Sequence, residues 1–383
     1  MGPGTNNLQV RKINRNRVFR YINSVEKTSM PEIASALRMS TPTVLGVVKE
    51  LLKEGIVEEV GEFGSTGGRK AKAYAARKDT RYSIGVDLTK NHVGITYTDF
   101  TQQAKCHERV YKPFEDTADY FREVAELIRK FVEENQIDQD KILGMAMSVP
   151  GIVDEEQGMI TASHALGIHG VPLDKWKDYL PYPCKFINDA NAAAIAECAV
   201  SDIQGNMLYL LLSNTVGGAA RMQTLNGGEG LKPRLYLGDN WRSCEFGHMV
   251  IRPEGNRCYC GKIGCLDTYC SALRLAEQTE GNLERFFVEM EEGNEKYRRI
   301  FAKYLDDLTI AVDNLRMQFD CRVILGGYVG CYLEPYIHVL QEKMRERDIF
   351  GSSGDYVMAC RSRKEASALG GAVLVMEEYL ESV

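Results

Sequence analysis

Cys244-Glu245-Phe246-Gly247-His248, followed by Cys258-Tyr259-Cys260-Gly261-Lys262-Ile263-Gly264-Cys265-Leu266-Asp267, is the stretch on which the reading of this chain turns. One imidazole, His248, and three thiols, Cys258, Cys260 and Cys265, fall within eighteen residues. These are the soft ligands a tetrahedral zinc takes, and a site closed by four protein ligands builds structure and leaves no open position for catalysis. Gly261 and Gly264 permit the tight turn by which one short loop wraps an ion. Cys244 and Cys270 are nearby thiols able to substitute as ligands. The competing reading is of reduced cysteines acting as small buried hydrophobes, which suits the scattered Cys106, Cys184, Cys198, Cys321, Cys331 and Cys360 better than it suits the cluster. Glu245 and Asp267 stand at the two ends of the knot, so a rigid polar pocket is expected beside it.

Outward from that knot, 383 residues with 44% apolar and 26% charged side chains predict two or three ordinary globular domains. No apolar run approaches the roughly twenty residues of a membrane span, and no signal-peptide pattern opens the chain. A cytoplasmic protein without membrane insertion is expected. Met1 to Asn7, rich in Gly and Asn, reads as a disordered leader.

Charge is placed unevenly. Residues 1–78 hold fourteen Lys and Arg against seven Glu, a balance of +7, whereas the whole chain is −6 and the remainder −13. A basic head on an acidic body predicts a polyanionic partner for the head alone. Its pattern is helical over Ile13 to Ser24, with Val18, Phe19 and Ile22 inward, and again from Pro31, where Ile33, Ala34 and Leu37 turn inward. After a turn at Arg38-Met39, Ser40 caps a third helix running to about Glu54. Its inner stripe is Val44, Val47, Val48, Leu51 and Leu52, which leaves Thr41, Thr43, Leu45, Gly46 and Lys49 outward. This is a helix-turn-helix with small residues at the end that enters a major groove. Two strands around the tip Ser65-Thr66-Gly67-Gly68-Arg69-Lys70 complete a winged helix. Ser65, Thr66, Arg69 and Lys70 are candidate phosphate or minor-groove contacts. A winged helix serving protein contacts is the alternative, and the charge balance favours DNA.

From Arg81 strands alternate with helices, which predicts an α/β body. Strands are expected at Tyr82 to Leu88, Val93 to Tyr97, Ile142 to Val149, Asn206 to Ser213 and Arg322 to Leu325, and helices at Tyr120 to Glu134, across Leu283 to Gln318, and at about Glu365 to Glu381. Two αβ halves would place a ligand cleft between them.

Asn188-Asp189-Ala190-Asn191, Glu245-Phe246-Gly247-His248, the run Cys258 to Asp267, Leu325-Gly326-Gly327 and Ala368-Leu369-Gly370-Gly371-Ala372 together resemble the ROK family of repressors, open reading frames and sugar kinases. The resemblance covers nearly the whole chain, and a winged helix in front marks the repressor branch. It implies a two-lobed actin-like, ribonuclease H-like sugar-kinase fold, with a DNA-binding domain at 8–78, a first lobe at 79–188, and a second lobe at 189–383 holding the zinc motif and the closing helix. It implies too that Asn188, Asp189, Glu245, His248 and Asp267 surround a sugar, Asp189 being the base in the kinases. A metal-held His248 would offer its other nitrogen in one fixed orientation. Asp267 stands where the family has Glu, and the shorter side chain could retract from the sugar. Read without the resemblance, Asn188 and Asp189 would simply cap the Ala-rich helix that follows.

The kinases of that family open with Asp-x-Gly-Gly-Thr, whose glycines let backbone approach phosphates. Here the residues are Asp87-Leu88-Thr89-Lys90-Asn91, and the second phosphate loop is reduced to Ser213-Asn214-Thr215-Val216-Gly217-Gly218. ATP and magnesium are therefore not expected as cofactors. The expected function is a sugar- or sugar-phosphate-responsive transcriptional regulator, a repressor acting as a homodimer or tetramer on operator DNA; an active sugar kinase is the alternative.

Overall fold

The computed structural model describes residues 4–63, 70–201, 203, 205–223, 234–351, 353–363 and 365–383, and only the backbone of 4–9. The head is α1 (Gly4–Ser24), α2 (Met30–Leu37), α3 (Thr41–Lys53) and the antiparallel pair β1 (Val57–Glu62) and β2 (Lys72–Ala76). Local chemistry sets its boundaries. Ser29 and Glu32 form a reciprocal capping box at α2, Arg38 closes that helix in the left-handed conformation (φ 51°), and Ser40 caps α3 by accepting from the Thr43 amide. Val18, Phe19, Ile22, Ile33, Val44, Val47, Val48 and Leu51 are buried as their spacing predicts, and Ala34, Leu37 and Leu52 are half-buried. The expected leader is shorter than predicted, because helix α1 already begins at Gly4.

The body repeats one topology twice. Strands β3 (Tyr82–Leu88), β4 (His92–Thr98) and β5 (Cys106–Tyr111) form an antiparallel meander. Helix α4 (Ala118–Glu134) leads to β6 (Ile142–Val149), which pairs parallel to β3. A small meander, β7 (Ile152–Asp154), β8 (Met159–Ser163) and β9 (Ile168–Pro172), and the short α5 (Asp174–Lys177) precede β10 (Cys184–Asn188), parallel to β6. The sheet order is β10-β6-β3-β4-β5.

Helix α6 (Asp189–Val200) leads to the second copy: β11 (Met207–Leu212), β12 (Val216–Met222) and β13 (Arg234–Leu235) as the meander. After α7 (Asp267–Cys270), α8 (Ala272–Ala276), α9 (Leu283–Glu291) and α10 (Glu295–Phe319) comes β14 (Arg322–Gly326), parallel to β11. Then α11 (Gly327–Gly330) and α12 (Ile337–Arg347) precede β15 (Val357–Ala359), parallel to β14, and α13 (Ala366–Ser382) closes the chain. The order β15-β14-β11-β12-β13 repeats that of the first sheet. Two such lobes are the duplicated architecture of actin-like folds, as the sequence led one to expect. Aromatic residues of α4, with Trp176, cover the outside of the first sheet, and α9, α10 and α12 cover the second.

One assignment is corrected. Sequence order places α13 with the second lobe, yet the helix crosses back and lies on the first sheet. A Cβ on Gly85 of β3 would come within 1.7 Å of the Ala368 carbonyl, and one on Gly370 within 1.7 Å of the Ala192 carbonyl in α6. These glycines let α13 and α6 pack as a middle layer, with Ala193, Ala194, Leu369 and Val373 meeting Tyr209 and Leu211 of the second sheet. The far end of α13 enters the core of the head, where Met376, Leu380 and Val383 join Phe19, Ile22 and Phe100.

Candidate functional site

Between the lobes lie two connected cavities of about 390 Å³ and about 350 Å³, both lined by Pro150, His164, Ala165, Asp189 and Thr215. Each falls within the size of small-molecule sites, roughly 300–1,000 Å³. Asp189 stands at their junction as the first residue of α6. Its Oδ1 accepts from the Ala190 amide at 2.9 Å and from Asn188 Nδ2 at 3.1 Å. Burial, with the charges of Asp87 and Glu245 adding to it, pushes its carboxyl up to about 7. Asn188 lines the larger cavity and also performs the capping job, since its Oδ1 accepts from the Asn191 amide at 3.0 Å and its Nδ2 also donates to the Gly151 carbonyl at 3.0 Å.

Glu245 precedes and His248 ends a single 3₁₀ turn, Phe246–His248. The two residues between them explain why that turn cannot shift. Phe246 is buried, and a Cβ on Gly247 would lie 2.1 Å from the Val216 carbonyl. Gly218 of β12 is needed for the same contact, because a Cβ there would meet the Phe246 ring at 2.2 Å. The turn is thereby clamped on β12, and both Glu245 and His248 line the larger cavity. Burial raises the Glu245 carboxyl.

The ligand atoms of His248, Cys258, Cys260 and Cys265 all lie within 4.8 Å of one another. Cys260 Sγ and Cys265 Sγ are 3.7 Å apart, and Cys258 Sγ is 3.8 Å from His248 Nδ1. A tetrahedron with metal–sulfur bonds near 2.3 Å has edges of about 3.8 Å, so the set fits such an ion. Nδ1 faces the thiols, which leaves Nε2 without a protein partner among the described residues. The loop is folded for this arrangement. Gly261 (φ 92°) and Gly264 (φ 81°) take conformations that suit glycine, and a Cβ on Gly264 would strike the Arg252 carbonyl at 1.7 Å.

Three expectations change here. Asp267 does not line the cleft: its Oδ1 accepts from the buried Val216 amide at 2.6 Å, tying the metal loop to β12, a reach the short carboxylate favours over the cavity. Cys244 and Cys270 stand outside the cluster, and Cys270 is wholly buried against the Tyr304 carbonyl. Sequence reading also missed His164, Tyr259, Trp241 and Arg242, all of which line the larger cavity. Only Tyr259 carried a signal, being a large aromatic held between two thiols of the cluster.

The smaller cavity is walled by Asp87, Thr89, Lys90 and Asn91 in place of a glycine loop. Thr89 accepts from the His92 amide through Oγ1 at 3.0 Å and Leu88 is fully buried, so this hairpin is closed by its own side chains. Gly327 (φ 78°) makes the tight turn after β14, where a Cβ would be 2.8 Å from Leu212 backbone atoms.

On the head, Thr41, Thr43 and Lys49 are exposed on α3, and Thr43 Oγ1 shares a hydrogen bond with Ser40 Oγ at 2.8 Å. Lys70 is 3.9 Å from Glu62. Ser65, Thr66 and Arg69 lie outside the described residues. Four of the head's glutamates pair with its own basic residues, as Arg11–Glu50, Arg15–Glu54, Lys72–Glu59 and Arg77–Glu58, which leaves the +7 balance unchanged. Lys49, Lys53 and Arg38, on α3 and the turn before it, have no ion pair among the described residues.

Residues 83–378 match the family model described as "ROK family". The chain belongs to the ROK family. Among its ROK relatives, a xylose repressor of Caldicellulosiruptor bescii is 25% identical over 398 aligned positions, covering 98% of each chain. The DNA-binding transcriptional dual regulator NagC of Escherichia coli is 25% identical over 70% of this chain and 65% of its own. The structure of a ROK transcriptional regulator homologous to the E. coli MLC protein superposes with a TM-score of 0.75 at 18% identity over 97% of both chains. A ROK hexokinase of Thermus thermophilus gives 0.60 at 25% identity, covering 78% of this chain and 99% of its own. The hexokinase thus covers 78% of this chain, whereas the xylose repressor and the MLC-homologous regulator cover 98% and 97% of it, head included.

Proposed function

We propose that this ROK protein is a sugar-responsive transcriptional regulator, a repressor that binds operator DNA through its head as a homodimer and is released when a sugar or sugar phosphate fills the larger cavity. The observation that carries this reading is the 98% two-way coverage by a named sugar repressor, which includes the head as well as the lobes. Thr41, Thr43 and Lys49 would meet the major groove, and Ser65, Thr66, Arg69 and Lys70 the flanking backbone or minor groove. Asn188, Asp189, Glu245 and His248 would hold the ring hydroxyls. Zinc on His248, Cys258, Cys260 and Cys265 would fix the wall that carries Glu245 and His248. The protein would act in the cytoplasm; among the described residues no helix is long and apolar enough to cross a membrane.

A route for the signal is available in α13. At its start, Ser367 Oγ donates to the Asp189 carbonyl at 3.1 Å, and Ala366 and Ser367 line the smaller cavity. Near its end, Glu377 takes a bidentate pair from Arg20 of α1 at 3.0 and 2.8 Å. Seventeen residues of helix span about 25 Å. A shift of the lobes around the effector would therefore reach the head through one rigid rod.

The test measures binding of the full chain to a fluorescent inverted-repeat duplex from its own upstream region. It is paired with a coupled assay for ATP turnover on D-xylose, D-glucose and N-acetyl-D-glucosamine. Nanomolar DNA binding, weakened severalfold or more by Lys49→Ala, without turnover supports the regulator. Sugar-dependent ATP turnover that vanishes in Asp189→Asn, with no DNA binding, would instead support a kinase.

A further inference from the structure

Among the described residues, Tyr259 is placed unlike any other aromatic. It sits between two thiols of the metal cluster, so the backbone on both sides is held, yet its side chain is 49% exposed and lines the larger cavity. Its ring centre lies 5.2 Å from that of His248, inclined at 75°, and 5.1 Å from that of His164, at 54°. His164 follows β8 of the first lobe, whereas Tyr259 belongs to the second. Among the described residues this is the one pair of aromatic rings that spans the two lobes. No hydrogen bond to the Tyr259 hydroxyl is formed by any described residue. Nothing about folding the loop requires an aromatic here, because the turn is set by Gly261, Gly264 and the thiols.

We propose that Tyr259 is a specificity-determining platform for the effector: the apolar C–H face of a pyranose ring stacks on it, and His164 closes against the same ligand from the opposite lobe. This rests on the reading of the larger cavity as a sugar site. A pyranose presents an apolar face and a hydroxyl edge at right angles to it. The polar groups already placed, Asp189, Glu245 and His248, serve the edge, and none of them serves the face. An aromatic side chain has only two rotatable bonds, and here its backbone is pinned, so little freedom remains to be lost when a ring lands on it. Trp241 adds apolar wall to the same cavity. It is held at φ 59°, a left-handed conformation that a bulky side chain seldom adopts and that tends to be retained at ligand sites. Because the Tyr259–His164 pair joins the lobes, a ring inserted there also changes their separation, so the residue that selects the sugar reports its arrival.

The experiment compares the full chain with Tyr259→Phe, Tyr259→Leu and Tyr259→Ala. Calorimetric titration uses whichever of D-xylose, D-glucose and N-acetyl-D-glucosamine the parent binds most tightly, and zinc content and sugar-free operator affinity are read alongside. Tyr259→Phe should stay within about threefold of the parent, and Tyr259→Leu and Tyr259→Ala should bind about 10- to 100-fold more weakly. Zinc content and operator affinity should be unchanged. Equal sugar affinity in Tyr259→Leu and Tyr259→Phe would overturn the stacking role, and the comparison stands even if Tyr259→Ala loses metal, because Leu preserves bulk. If the parent binds none of the three sugars while still binding operator, the reading of the cavity fails and the platform with it. Sugar binding that survives in all three variants removes the platform alone.

Discussion

Asp189 carries a cost that pH exposes. In the folded chain its carboxyl titrates at about 7, against an ordinary value of 3.8, with burial the main cause. The folded chain therefore keeps a proton that the unfolded chain has already released, and stability contributed by the neutral form is present below about pH 4 and lost as pH rises to about 7. Asp87 and Glu245 are raised by burial in the same direction. Asp189→Asn should accordingly flatten the pH dependence and stabilise the sugar-free protein at pH 8 relative to pH 5, by on the order of 1–4 kcal/mol in urea unfolding. A variant with the parent's pH profile would place the strain elsewhere. At this scale the sequence was legible where spacing constrained chemistry, as with His248 and the three thiols. It failed at Asp267, because nothing in a one-dimensional pattern tells a carboxylate aimed at a ligand from one aimed at the Val216 amide. His164 was equally hidden, since a lone histidine in a meander becomes a site residue only through the opposite lobe.

Helices α6 and α13 show what element-level reading can and cannot do. Their existence followed from composition, and Asn188 does cap α6. Their place between the sheets did not, because it depends on contacts over long sequence separations, made possible by Gly85 and Gly370. Gly370→Ala should force α13 off the Ala192 carbonyl and cost about 1–3 kcal/mol, read by thermal unfolding. A change under about half a kcal/mol would show that the layer yields. Glu377→Ala should act differently. The Arg20–Glu377 pair is partly solvated, so its loss costs about 1 kcal/mol or less in stability. Yet it ties α13 to α1, and sugar-induced weakening of operator binding should shrink at least threefold while sugar affinity itself holds. An unaltered response would assign the coupling to the other contacts between α13 and the head, among them those of Met376 and Leu380 and the hydrogen bond from Asn16 to the Leu380 carbonyl.

For the whole molecule, the α/β body and the helical head were both recoverable from the spacing of apolar residues, whereas the way they join was not. The head shares its core with Phe100 and the end of α13, so head and body are not separate beads on a string. The metal knot is expected to brace only the second lobe. Chelation, or Cys260→Ser, should lower the melting temperature by roughly 5–15 °C and abolish sugar binding before the head loses its helices. Sugar binding that persists without metal would remove the knot from the site. The most direct measurement is operator affinity by fluorescence anisotropy with and without a saturating concentration of the sugar that best stabilises the fold. A coupling of about 1–3 kcal/mol predicts that the sugar weakens DNA binding about 5- to 150-fold, and an operator affinity that does not change at saturation would contradict control of the head by the cleft.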